Sequence, residues 1–476
     1  MNASTCPRPV DCPWCGAEVQ ITGQTCQKCD RLIPDLPTWA ITGPESGHGL
    51  LGTTRWRRRR LSVFASLVLI LGLIIWLTIP FVPNPVTLLF KKPSSNLTSA
   101  SLPGNWSSIA WDLNGTRNIE SFLQQPKGRL LWSKTLGKHT NSAPSVVDGI
   151  IYAGGDFKAL ALEAKTGELI WEILTPGKMD HSFAVSDNYL YTGLSDHRLL
   201  ALDRKTGHII WEFSAQFPIT SSPIVGSGMV FFGSSDRLVF SVDATTGKLI
   251  WKTRLSGNLR SSPVVHGSNL YATDSDGNLT ILNARTGQTR FRFRTAASAS
   301  DAAAVGNGLA YFPSGGRLFA VDADARTVWG EFEFKKIWSQ FYIWQIPGIP
   351  RPPSQRGERW RFAPEKTASR GIVAAPAIAS DALYYGDANG YLYARGVVNK
   401  ETMWQFHAED SITSSPVIVG DRLYFGDHGG FLYSLDRFTG NLIWQISLDA
   451  PIEVSPVFAG SQFYIRTTDG RLHVIN

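Results

Sequence analysis

The residues best suited to chemistry crowd the N-terminus. The stretch "CPWCGAEVQITGQTCQKC" carries Cys12 and Cys15 in one CxxC pair and Cys26 and Cys29 in a second, with ten residues between the pairs. A CxxC pair folds into a tight knuckle that aims two thiolates at one point, and two knuckles complete a tetrahedral four-sulfur site for zinc. Gly16 follows the first pair, where a knuckle needs a residue tolerant of unusual dihedrals. Four thiolates leave no open coordination position, so the expected zinc is structural. A redox use of CPWC needs a βαβ setting that the first 29 residues cannot supply. Cys6 is left over, and the sequence assigns it no role.

Elsewhere the reactive residues are dispersed. The nine histidines are scattered along the chain, and neither a Ser-His-Asp nor an HExxH arrangement is legible. Asp156, Asp196, Asp236 and Asp276 recur about forty residues apart. They could form an acidic ring, but a residue rewritten at every repeat reads first as turn chemistry. No cysteine occurs after Cys29, so burial rather than disulfides must hold the main body.

The elements that position these groups come in three parts. A basic stretch, "RWRRRR", leads into residues 61–79, which carry no charge. Nineteen such residues make about 28 Å of helix, enough to span a bilayer. Arg55 and Arg57 to Arg60 crowd one end, against Lys91 and Lys92 beyond the other. The positive-inside rule then places the cysteines in the cytoplasm and everything after Pro80 outside. A reducing cytoplasm suits thiolate ligands, and an exterior without cysteine needs no oxidative folding. Of the 46 Lys/Arg and 39 Asp/Glu, 8 and 5 fall in residues 1–60. The remainder is nearly neutral and lacks the basic stripe of a nucleic-acid binder, so no nucleic-acid partner is expected for it.

From residue 128 on, the chain repeats. Trp132, Trp171, Trp211 and Trp251 are followed by Phe291, Trp329, Trp404 and Trp444 in the same slot. A unit such as "SSPIVGSGMVFFGSSDRLVFSVDATTGKLIW" reads as four strands joined by tight turns, the pattern of a propeller blade. Innermost strands are expected near Pro144, Phe183, Pro223, Pro263, Ala302, Pro376, Pro416 and Pro456, which makes eight blades. The last unit stops at "RLHVIN" without an outer strand, and "GRLLWSKTL" at 128–136 has the missing pattern. It should complete the eighth blade and close the ring. The letters repeat because each blade has an apolar face that only its neighbour can cover.

These residues carry two resemblances. The head over 1–35 resembles the zinc ribbons found at the N-termini of many bacterial membrane proteins. The run D-x-x-T-G-x-x-x-W at Asp203–Trp211 and Asp243–Trp251 resembles the tryptophan-docking motif of quinoprotein (PQQ-like) β-propellers. The lead-in "NWSSIAWDLNGTRN", with Trp106, Asp112 and Thr116, resembles the segment before the first blade of that family. The family implies a propeller fold over residues 105–476, and it includes both dehydrogenases and an assembly scaffold of the outer membrane. Its dehydrogenases hold PQQ between a tryptophan and a disulfide of adjacent cysteines, beside a calcium bound by carboxylates. The propeller here has no cysteine, and no recognisable calcium set or haem motif, so neither PQQ nor calcium is expected.

Function is then sought where blades differ. The third residue before each innermost strand should ring one mouth of the central channel, and Asn141, Asp180, Arg260 and Glu453 there form a mixed-charge candidate site for a small polar ligand or a partner's side chain. The alternative is a solvated rim. Residues 332–362 interrupt the period between the fifth and sixth blades with Trp338, Phe341, Tyr342 and Trp344, then "IPGIPRPP". This aromatic hairpin or loop suits a partner surface or the outer bilayer interface, unless it folds back as core.

The expected protein is all-β with two small additions. A cytoplasmic zinc ribbon (1–35), a basic linker (36–60) and a transmembrane helix (61–79) precede an extracytoplasmic linker and lead-in (80–127). An eight-bladed propeller (128–476) follows, closed by its N-terminal strand. The expected function is a non-catalytic scaffold in the cell envelope, held in the plasma membrane by one span, with an envelope protein or polymer as partner. The alternatives are a membrane-bound PQQ-dependent oxidoreductase and a transmembrane sensor with the zinc ribbon as output.

Overall fold

The structure is a computed structural model. It describes residues 10, 11, 18, 19, 66–72, 85–99, 104–120, 124–137, 142–295, 297–299, 301–328, 331–352, 355–364 and 371–476. The chain divides into two compact units, Met1–Ile75 and Trp76–Asn476. In the first, strands Val10–Asp11 and Glu18–Val19 pair antiparallel, Val10 opposite Val19. These strands lie on either side of Cys12 and Cys15 in the sequence, while all five cysteines lie outside the described residues. Residues 66–72 are helical, and the rest of the expected 61–79 span lies outside the described residues. Among the described residues, no helix is long and apolar enough to cross a membrane.

In the second unit, eight antiparallel sheets of four principal strands each follow one another. The first blade runs Ser145–Val147, Ile150–Gly155, Lys158–Glu163 and Leu169–Leu174. The second and third strands are apolar and buried on both sides. The outermost strand alternates exposed and half-buried residues, as a strand covered on one face must. Each blade repeats this order, and the strand pairing slips by one residue at the same place in each, as between Ala161 and Leu162.

The ring closes as the sequence predicts. Strand Leu130–Thr135 pairs with Arg471–Ile475, placing Trp132 opposite Val474 as the outer strand of the eighth blade. The main-chain amides of Arg129 and Asn476 exchange hydrogen bonds of 2.8 Å, so the two ends of the propeller share one ladder.

Wedged rings join the blades. Trp211 donates from Nε1 to Ala244 O at 3.1 Å in the next blade, and Trp171, Trp251 and Trp404 make the equivalent bond. Gly247, with φ of +69°, lies flat on the Trp211 ring, where an added Cβ would come within 2.6 Å. The motif needs glycine there for its conformation and for the close approach. Asp243 organises the turn by accepting from the amides of Thr245 and Thr246. The recurrent second-turn aspartates behave as turn residues too: Asp196 bonds Arg198, and Asp236 bonds Ser234.

The long insertion lies inside the fifth blade, not between the fifth and sixth. The third strand, Arg317–Asp322, pairs with Glu358–Phe362, and Trp360 opposite Ala320 fills the wedge slot. Trp329 lies outside the described residues. The spacing misled because Trp329 falls 38 residues after Phe291, close to one period, while the true outer strand is deferred by the insertion. The insertion is also not a hairpin: Glu331–Ile343 is a 13-residue helix.

Candidate functional site

Neighbouring strands run antiparallel, so first-to-second and third-to-fourth turns share one face of the propeller. Second-to-third turns and blade connections share the other. The lead-in closes the channel at the first face. The innermost strands present bare edges to the channel, and each edge needs partners for its amides and carbonyls. Trp106 exchanges main-chain bonds with Val146 in the first blade. The chain then supplies Ser107 O to Val185, Leu113 O to Val265, Asn114 O to Val305, Thr116 O to Ile378 and Arg117 O to Ile418. Six blades are thus stitched in order by one segment, and Asn118–Ile119 finishes as a parallel strand beside the seventh. Trp106 is fully buried beneath this cap.

Under the cap lies a cavity of about 30 Å³, lined by Asp112, Arg117 and Asp301 among apolar and small side chains. That is room for a water or two, against roughly 300–1,000 Å³ for a ligand pocket. Thr116 donates to both oxygens of Asp112, at 2.8 and 2.7 Å, yet loss of solvation under the cap still raises the Asp112 pKa. Burial likewise lowers the pKa of Arg117, against the attraction of Asp301 and Asp112. Its Nη1 reaches Gly115 O at 3.0 Å while its Nε has no acceptor. Asp301 accepts from Ala375 N and Ser415 Oγ, tying three blades together at the axis. This cavity is too small for a three-ring quinone such as PQQ.

The opposite mouth carries the predicted rim, which the structure does not draw into one cluster. Asp180 pairs with Lys178 at 2.9 Å, and Glu453 lies 3.6 Å from His428. Arg260 is exposed, and Asn141 lies outside the described residues. Among the described residues, no ion pair joins Asp180, Arg260 and Glu453. Thr220, at the same position in its blade, is spent on a bond to Leu259 O. Beside the rim, His181 is half-buried and bonded to Ile219 O at 2.9 Å, and desolvation lowers its pKa.

The insertion is the largest departure from the repeat. Its helix stands off the outer strand of the fourth blade and encloses a groove of about 820 Å³. Lys335, Lys336, Ser339, Gln340 and Ile343 face the groove, as do Arg292 and Arg294 from the strand. Phe334, Ile337, Phe341 and Trp344 are not among the groove's lining and are between 38% and 63% exposed. Trp338 is held half-buried, donating to Pro350 O at 2.9 Å and meeting Phe334 edge-on. The four predicted aromatics therefore occupy one short helical segment and its end. The sequence does not signal the basic wall behind them, because Arg292 and Arg294 belong to a preceding repeat unit about 40 residues away and only the fold brings them in.

A family model described as outer membrane protein assembly factor BamB matches residues 118–223, 196–332 and 353–476. The chain belongs to this family. Family members of known structure share the ring: BamB from Moraxella catarrhalis superposes with a TM-score of 0.56 at 15% identity, covering 72% of this chain and 96% of its own. Quinohemoprotein alcohol dehydrogenase from Comamonas testosteroni is as similar in fold, with a TM-score of 0.59 at 13% identity over 79% of this chain and 81% of its own. A europium-containing methanol dehydrogenase gives 0.56 at 14% identity, over 77% and 90%. At such identities the likeness is one of fold. No curated protein matches the chain.

Proposed function

We propose that this protein is a membrane-anchored extracytoplasmic β-propeller that binds a protein or polymer of the cell envelope without transforming it. The cap over the channel carries this reading. The lead-in spends the axis of the propeller on structure, leaving the faces and the insertion as the surfaces on which a partner can act. The family description, an assembly factor for outer membrane proteins, supports a protein partner.

Residues 61–79 serve as the anchor, on the strength of their uncharged run and basic flank. Cys12, Cys15, Cys26 and Cys29 hold a structural zinc on the cytoplasmic side, and the paired strands flanking the first CxxC support a knuckle there. The rim bearing Asp180, Arg260 and Glu453, which the repeat pattern extends to Asn141, offers the partner a charged surface on the face away from the cap.

Chemical crosslinking of intact membranes followed by affinity purification tests the rim. The wild type should retain a specific envelope component that the Asp180→Lys, Arg260→Glu double variant loses by at least tenfold. Equal recovery from both would reduce the rim to a solvated surface.

A further inference from the structure

The insertion helix is amphipathic in an unusual sense. At 100° per residue, Phe334, Ile337, Phe341 and Trp344 fall within one stripe, and Lys335, Lys336, Ser339, Gln340 and Ile343 fall on the opposite side. The second set faces the propeller across the groove, and the apolar stripe faces away from it. The groove is lined by seven Lys or Arg side chains and two glutamates. Some are internally compensated, Lys335 by Glu331 at 2.9 Å and Arg361 by Glu358 at 3.7 Å. Lys336 and Arg351 are exposed with no ion pair among the described residues. An uncovered aromatic stripe flanked by excess positive charge is the pattern of a helix that lies in the interface of an anionic bilayer.

A second observation locates that bilayer. The linker from residues 61–79 reaches the propeller at its third and fourth blades. Ser94 bonds Asp243, Leu97 O accepts from Gly228, and Thr87 O lies 3.5 Å from Arg285 Nη2. Gly228, Asp243 and Arg285 all stand in turns of the capped face. The insertion leaves the fifth blade through its third-to-fourth connection, on that same face, and its helix stands beside the fourth blade. The short helix Pro85–Phe90 ends there with Leu89 and Phe90 exposed. Anchor linker and insertion thus reach the propeller on neighbouring blades of one face.

We propose that the helix Glu331–Ile343, with Trp344 and the basic groove behind it, lies against the anionic lipid surface from which the chain emerges. This inference rests on the reading of 61–79 as a membrane anchor. The docked helix fixes the orientation of the propeller by turning the side that carries the insertion, at the outer strand of the fourth blade, to the bilayer. A single flexible tether would leave both faces free to tumble.

Photo-crosslinking tests it. A benzophenone amino acid is placed at Phe341, at Leu69 inside the anchor, or at Arg260 on the rim. Each full-length chain is reconstituted in vesicles of phosphatidylcholine alone or mixed with phosphatidylglycerol, and adducts are identified by mass. The expected result is lipid adducts at 341 in the mixed vesicles, at least fivefold above those in phosphatidylcholine alone or in a Lys335→Glu, Lys336→Glu variant, with none at 260. Adducts at 69 without any at 341 overturn the docking face and leave the anchor standing. Adducts at 341 without any at 69 support the docking face and overturn the anchor, while absence at both overturns both. Adducts at 341 to a second copy of the chain, or in isolated membranes to a protein alone, overturn the lipid assignment.

Discussion

Replacing Asp243 by Asn is expected to release the linker from the propeller. Asp243 belongs to the repeated turn motif, yet it is the aspartate on which the linker docks. Ser94 gives it a main-chain bond of 2.5 Å and a hydroxyl bond of 2.7 Å, beside those from Thr245 and Thr246. Burial alone would raise its pKa, but these donors outweigh it and hold the carboxyl at about 2 against an ordinary 3.8. At about 1.36 kcal/mol per pH unit, the ionised carboxylate contributes about 2 kcal/mol at neutral pH, a few tens of fold in an equilibrium constant. Its own turn shares in that figure, so linker release should rise at least tenfold rather than by the full amount. Because the folded pKa lies below the unfolded one, the stabilisation is complete above about 3.8 and is lost as pH falls through about 2. Hydrogen exchange read by mass spectrometry over residues 94–99 and at Gly228 reports the opening, since Ser99 N and Gly228 N are bonded only while the linker is docked. Asp203→Asn is the control: it breaks the same turn in the second blade, where the bonds to Lys205 and Thr206 are local. Less than twofold faster exchange in Asp243→Asn at pH 7, or equal acceleration by both variants, would refute the reasoning.

Other perturbations separate wedge, closure and metal. Trp251 is 5% exposed and bonded to Ala284 O, whereas Trp132 is half-buried and its Nε1 has no acceptor. Trp251→Ala should therefore lower stability by about 3–5 kcal/mol and Trp132→Ala by clearly less, seen as shifts of the urea midpoint; equal losses would deny that wedge strength follows burial. Arg466 occupies a glycine position of the repeat at the closing junction, its Nη1 on Gly154 O at 2.6 Å and its Nε and Nη2 without acceptors. Burial lowers its pKa from 12.5 to about 10, a penalty of about 3 kcal/mol present below pH 10 and relieved above it. That exceeds or matches the bond to Gly154, so Arg466→Met should leave the melting temperature unchanged or higher, and a clear fall would show the bond to dominate. Replacing Cys12 and Cys15 by Ser should remove one zinc per chain by elemental analysis and leave propeller melting unchanged; unaltered metal content would reject the four-thiolate site.

The ring was legible because repetition amplifies a weak signal. One turn-strand unit ending in tryptophan means little, but the same unit at Trp171, Trp211 and Trp251 fixes the period, the blade number and the need for the strand around Trp132. The same regularity misplaced the insertion, since Trp329 stands nearly in phase and Trp360 does not. What the repeat could not convey is which copy of a residue is used differently. Asp203 and Asp243 look alike in sequence, and only the path of the linker distinguishes them. Arg466 aligns with Gly193 and Gly233, yet its burial depends on the junction between the last and first blades. The lead-in is recognisable as a segment before the first blade, but its bonds to six blades join residues up to 301 positions apart, such as Ile418 and Arg117. No local pattern encodes these contacts.

We propose that the propeller binds and does not catalyse. Titration of the full-length chain with PQQ and calcium tests this most directly, following quinone absorbance and the reduction of an artificial electron acceptor across a panel of alcohols. The account predicts no saturable binding and no reduction above the protein-free rate. Stoichiometric PQQ binding with substrate-dependent acceptor reduction would contradict it and establish an oxidoreductase.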